Sequence, residues 1–96
     1  MVLDAMKVSI GKHVFLGPGV HIYTATHPTN PEERLHTQFA KPVIIGDDCW
    51  IGGNSVICPG VTIGDGCTIG AGSVVTKNIP SHSLAVGNPA KVVKKL

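Results

Sequence analysis

The stretch IGDDCWIGGNSVICPGVTIGDGCTIGAGSVV, Ile45 to Val75, returns an aliphatic residue at every sixth position. Extended upstream, the same count begins at Ile10 and passes Leu16 and Ile22. After a break it resumes at Ile45 and runs through Ile51, Ile57, Ile63, Ile69 and Val75, so all nine positions carry a branched aliphatic side chain. The residue that follows is glycine in six of the nine hexads, and the fifth place is small or β-branched (Val14, Val20, Thr26, Cys49, Ser55, Val61, Cys67, Ser73, Ile79). A six-residue period drifts around a helix surface, because a helix holds one face only at a 3.6-residue period. It suits short strands joined by tight turns and stacked into a parallel β-solenoid. The aliphatic residue is expected to fill the interior, and the glycine after it to permit the turn. Three six-residue sides would close a coil, so residues one coil apart should stack at about 4.8 Å.

Composition agrees with a thin aliphatic core. The chain of 96 residues is 43% hydrophobic but only 4% aromatic, with 12 glycines. It reads as one domain, residues 1–96, whose open ends need a cap or a partner subunit. No apolar run reaches the roughly 18 residues of a membrane span, and Met1 to Lys7 lacks the pattern of a signal peptide, so a cytoplasmic protein without membrane contact is expected. A net charge of +2 gives no ground for nucleic acid. Its distribution is uneven: Lys77, Lys91, Lys94 and Lys95 all follow Asp65, the last acidic residue, leaving a basic C-terminal surface able to meet phosphates or simply to stay solvated. The three cysteines lack zinc-ligand spacing. Cys49 and Cys67 share the inward fifth place on adjacent coils, within geometric reach of a disulfide, but read first as buried reduced thiols.

The rhythm stops at His27. Residues Pro28 to Ile44 carry Pro28, Pro31 and Pro42 together with Glu32, Glu33, Arg34 and Lys41, which reads as an extruded loop over 28–44. His27, the last residue before it, admits three readings: a structural corner histidine, a metal ligand, or a general base that titrates near neutrality. No two of the five histidines stand one coil apart, which weakens the metal reading.

The segments GPGVHIYTATHPTNPEER, KPVIIGDDCWIGGNSVICPGVTIGDGCTIGAGSVVTK and GNPAKVVK resemble the hexapeptide-repeat acyltransferases, and among them the maltose and galactoside O-acetyltransferases. The resemblance spans nearly the whole chain. It implies an all-β fold, a left-handed parallel β-helix, assembled as a homotrimer with active sites between subunits, and an O-acetyltransferase that uses acetyl-CoA, without a metal, on a sugar hydroxyl. Matched by motif, His27 takes the place of the family's catalytic histidine and would act as general base. Gly53 stands where a backbone N–H meets the thioester; Ala71, Thr76 and Lys77 match positions along the pantetheine arm; Lys91 and Lys94 match basic residues near the nucleotide phosphates. Asp4 lies near an acidic substrate contact. Tyr23, beside the break, lines the acceptor pocket or caps the coil. Trp50, the only tryptophan, packs against a neighbour or walls the cleft.

The resemblance also implies a helical, acceptor-binding N-terminal region that this sequence lacks, with the solenoid entered at once and a C-terminal tail over 87–96. A truncated or non-catalytic solenoid and a metal-dependent hydratase of the same fold are the alternatives. Regular threonine arrays, which would suggest ice binding, are interrupted: Thr62 and Thr68 share the sixth place with Trp50 and Val74.

Overall fold

The computed structural model describes residues 7–37 and 39–96. In chain order the strands are β1 (Val8–Ile10), β2 (Phe15–Leu16), β3 (His21–Ile22) and β4 (Ala25–Thr26). Helix α1 (Pro31–His36) follows, then β5 (Phe39–Ala40), β6 (Val43–Ile45), β7 (Trp50–Ile51), β8 (Val56–Ile57), β9 (Thr62–Ile63), β10 (Thr68–Ile69), β11 (Val74–Val75), β12 (Ser83–Gly87) and β13 (Ala90–Lys95). Three parallel stacks result. The first side is β1, β6 and β9; the second is β2, β7 and β10, extended by β12 and β13; the third is β3, β8 and β11.

In most hexads the strand consists of the sixth and first residues alone, which is why most strands are two residues long. The sixth points outward and the first inward. Ile45, Ile51, Ile57, Ile63, Ile69 and Val75 are all buried, while Trp50, at a sixth place, is exposed. Registers of Trp50 against Thr68 and Val56 against Val74 give the expected coil of 18 residues. Each coil is stitched to the next in the same way. The sixth residue donates its N–H to the fifth residue's carbonyl (Trp50 N to Cys67 O, 2.9 Å), and the second donates to the first (Gly52 N to Ile69 O, 2.8 Å).

The glycine after the aliphatic residue has a different role from the expected one. The residue that turns the corner with positive φ is two places further on: His13, Asp48 and Asn54 adopt φ of 56°, 58° and 61°, and Gly19, Gly60, Gly66 and Gly72 fill the same place elsewhere. Asn, Asp and His are the side chains that tolerate this region best. The earlier glycine is needed because stacked coils approach there. A Cβ on Gly17 would lie 2.5 Å from the Gly53 nitrogen, and one on Gly52 would lie 2.7 Å from the Ala71 Cα.

The rhythm also departs from the count at two places. After Val75 the coil shortens. Ile79 sits beneath Ile63 and Ala85 beneath Ile69, an offset of 16 residues, so Ile79 occupies a first place and not the fifth. The Asn78 side chain bridges the shortcut by accepting from Thr62 N at 2.8 Å. In the inserted segment, β4 and β5 pair antiparallel as the stem of an arm. Near its tip α1 is started by Asn30, whose side chain accepts from the N–H of Glu32 and Glu33, with Pro31 in the first turn and no buried residue. The solenoid resumes at Val43, fully buried and paired with Val8, two residues before the expected end of the loop. Residues 87–96 are not a loose tail, because β13 folds back antiparallel on β12.

Cys49 and Cys67 are free thiols in the core, donating to Gly64 O and Pro80 O at 3.1 Å each.

Candidate functional site

The third residue of each hexad stands outside the interstrand ladder, so its N–H must find another acceptor. At the first corner, between the first and second sides, side chains of the next coil supply one. Asp47 Oδ1 accepts from Lys12 N (2.8 Å), Asp65 Oδ1 from Asp47 N (2.7 Å), and Ser81 Oγ from Asp65 N (3.1 Å). At the second corner, between the second and third sides, the same places hold Pro18, Gly53 and Ala71, which have no side-chain acceptor to offer. Among the described residues, the N–H groups of Gly53 and Ala71 meet no acceptor.

These two donors open into a groove of about 370 Å³ that crosses three coils. Gly17 and Pro18 form its upper end and Gly52 with Gly53 its middle; Gly70 and Ala71 close the lower end, with Trp50 and Thr68 along one wall. Bare glycine and proline edges with a tryptophan beside them suit a slender, partly apolar ligand that needs its polar atoms met by backbone donors.

Below the groove the surface turns basic. Lys94 lies opposite Leu84, Leu84 beside Thr68, Thr68 beside Trp50, and Trp50 beside Phe15, so one outward row joins β13 to the groove wall. Lys91 lies opposite Val86, whose side chain stands against Gly70. Two strand spacings, about 10 Å, separate Lys94 from Thr68.

The fold therefore brings Gly53, Ala71 and Trp50 into one groove, with Lys91 and Lys94 on the strand pair beneath it. It does not bring His27 there. His27 is exposed where β4 leaves the third corner, between the third and first sides. Thr76 and Lys77 follow β11 at that third corner too, on the same coil as Ala71 but outside the groove lining. Tyr23 is exposed beside β3, its hydroxyl 3.0 Å from His21 Nδ1. Asp4 lies outside the described residues. Pro18, Thr68 and the asymmetry of the corners were missed. The signal for the asymmetry is Asp47 and Asp65, one coil apart at a third place, where the neighbouring corner has Gly53 and Ala71. Among the described residues no three His, Cys, Asp or Glu side chains come together as metal ligands, and no helix is long and apolar enough to cross a membrane.

Stacked hexads with this interior and these corners define a left-handed parallel β-helix of the hexapeptide-repeat class. The family described as hexapeptide repeat of succinyl-transferase matches residues 42–77. A candidate acetyltransferase of Dictyostelium discoideum is 55% identical over 98% of this chain and 50% of its own length. A maltose O-acetyltransferase from Clostridium difficile 630 superposes with a TM-score of 0.93 at 53% identity, over 99% of this chain and 51% of that one. A galactoside acetyltransferase solved in complex with coenzyme A gives 0.89 at 44% identity, over 92% and 44%. This chain therefore carries the hexapeptide repeat and is similar over nearly its whole length to acetyltransferases. It spans about half the length of the curated relatives it matches.

Proposed function

We propose that this chain carries the acetyl-CoA site of an O-acetyltransferase that acts on a sugar hydroxyl, with His27 as general base. One observation carries the reading: two backbone N–H groups without acceptors, at Gly53 and Ala71, face an apolar groove that leads to a lysine-bearing strand. The coenzyme A complex of the galactoside acetyltransferase, and the maltose O-acetyltransferase likeness, support the choice of ligand and acceptor class.

In this reading the thioester carbonyl lies at Gly53 and the pantetheine arm passes Ala71. The phosphates meet Lys91 and Lys94, with Thr76 and Lys77 reached further along the same coil. His27 removes the proton from the acceptor hydroxyl as its oxygen attacks the thioester carbon, and the Gly53 N–H stabilises the oxyanion that develops. Collapse breaks the carbon–sulfur bond, and the imidazolium returns its proton to the departing thiolate. Since His27 and the groove occupy different corners of one chain, the complete site needs the His27 corner of a neighbouring copy. A homotrimer places such a pair at each of its interfaces. Tyr23, exposed on the third side, is a candidate wall for the acceptor, and Trp50 for the pantetheine.

Calorimetric titration with coenzyme A, thiol release from acetyl-CoA over a panel of sugars, and sedimentation in dilute solution test the proposal. Binding, turnover and a trimer are expected. A stable folded monomer would remove the shared site, and failure to bind coenzyme A would remove the cofactor assignment.

A further inference from the structure

The Gly70–Ala71 peptide is held from inside. The Gly70 carbonyl accepts from Ser73 Oγ at 2.6 Å, from Ser55 Oγ at 3.2 Å and, at the longer distance of 3.3 Å, from Ser73 N, and both serines are fully buried. Ser73 is anchored in turn, its Oγ accepting from Gly87 N at 3.1 Å. A trans peptide carries its carbonyl and N–H on opposite sides. A carbonyl drawn into the core therefore turns the next residue's N–H outward, and for this peptide that is the Ala71 N–H at the groove.

The first corner supports the logic. There Cys49 Sγ donates to Gly64 O at 3.1 Å, and the outward N–H of Asp65 is capped by Ser81. Cys49 and Ser55 thus each set a peptide of the coil beneath, and Ser73 adds a second side-chain donor from the peptide's own coil. Only at the second corner is the donor that results left available.

We propose that Ser73, assisted by Ser55, is a positioning residue for coenzyme A: by fixing the Gly70 carbonyl inward it presents the Ala71 N–H to the ligand. This rests on the reading of the groove as the coenzyme A site, but its geometry can be examined without ligand.

The test compares the parent with Ser73→Ala, Ser73→Cys, Ser55→Ala and Cys67→Ala, by amide NMR of the ligand-free protein and by coenzyme A titration. Ser73→Ala should displace the Ala71 amide resonance and weaken coenzyme A about tenfold, the loss expected for one hydrogen bond. Ser73→Cys, which restores a donor of the kind used at Cys49 and Cys67, should recover most of the affinity. Ser55→Ala, which removes the longer bond, should act in the same direction more weakly, and it serves as the probe if Ser73→Ala fails to fold. Cys67→Ala, which deletes the matching donor to Pro80 at the first corner, should lower the melting temperature and leave coenzyme A affinity unchanged. An unmoved Ala71 amide, or unchanged affinity in a folded serine variant, overturns the positioning role. A parent that binds no coenzyme A while Ser73→Ala still moves the Ala71 amide refutes the functional reading and leaves the peptide orientation established.

Discussion

The first and second corners have the same backbone and different chemistry. Both turn through a residue with positive φ, and both place a fifth-position donor in the core. They part at the third residue. Lys12, Asp47, Asp65 and Ser81 form a ladder in which each coil caps the N–H of the one above, whereas Pro18, Gly53 and Ala71 leave the donors bare beside a groove. In the proposed reading, a repeat fold makes its binding site by withholding an acceptor at one edge. The capped corner holds coils together, and the uncapped one is free to hold a ligand.

The most forceful way to probe this contrast begins at neither corner. Replacing His27 with alanine should reduce acetyl transfer by about 10²–10⁴, while calorimetry finds coenzyme A binding intact, because the imidazole stands away from the groove. Retention of most activity would remove the base and leave the corners unaffected.

Next, the second corner can be converted into a copy of the first. Ala71→Asp would set a carboxylate beneath the Gly53 N–H, as Asp65 sits beneath Asp47 N. Transfer should fall by about 10²–10³, the usual loss for one oxyanion donor. Coenzyme A should bind more weakly as well, with thermal stability held or improved. Undiminished turnover in thiol-release assays would show that the Gly53 donor is not used.

Weakening the capped corner should do the reverse. Asp65→Ala deprives the exposed Asp47 N–H of its acceptor and should cost about 1 kcal/mol in denaturant melts, with coenzyme A affinity preserved. Loss of affinity there would mean that the two corners are coupled.

The smallest effect separates thiol from hydroxyl. Burial pushes the Cys49 thiol above its ordinary value of 9.0, outweighing the backbone hydrogen bond from Cys67 that lowers it. The folded state then holds a proton that the unfolded chain releases, so this contribution is complete below pH 9 and is lost as pH climbs past it. Melting temperatures should decline above that pH in the parent and less steeply in Cys49→Ser.

Much of this was legible in advance, for definable reasons. An aliphatic residue at a fixed place can serve only one interior, so the coil length and the inward face of Ile45, Ile51 and Ile57 followed from counting. The shortcut after Val75 was hidden because Ile79 satisfies the fifth place as well as the first, and only the pairing with Ile63 decides between them. The turning residue was hidden because His13, Gly19, Asp48 and Asn54 share a conformation and no chemistry. Gly53 and Ala71 were marked by resemblance, and Trp50 as the lone tryptophan at an outward place. The reason they form a groove, an N–H with nothing beneath it, exists only once the coils are stacked.

The backward turn of β13 has one more consequence. Strand order on the second side makes it an edge strand among the described residues, with Val92, Val93 and Leu96 exposed beside it, the kind of surface on which stray chains assemble into fibrils. Lys91, Lys94 and Lys95, with the irregular pairing between Leu84 and Ala85, guard that edge by charge and by twist. On this reasoning the lysines proposed to meet the phosphates have a second role, in solubility. When they are neutralised, a fall in apparent affinity reports a lost contact only after aggregation has been measured in the same sample.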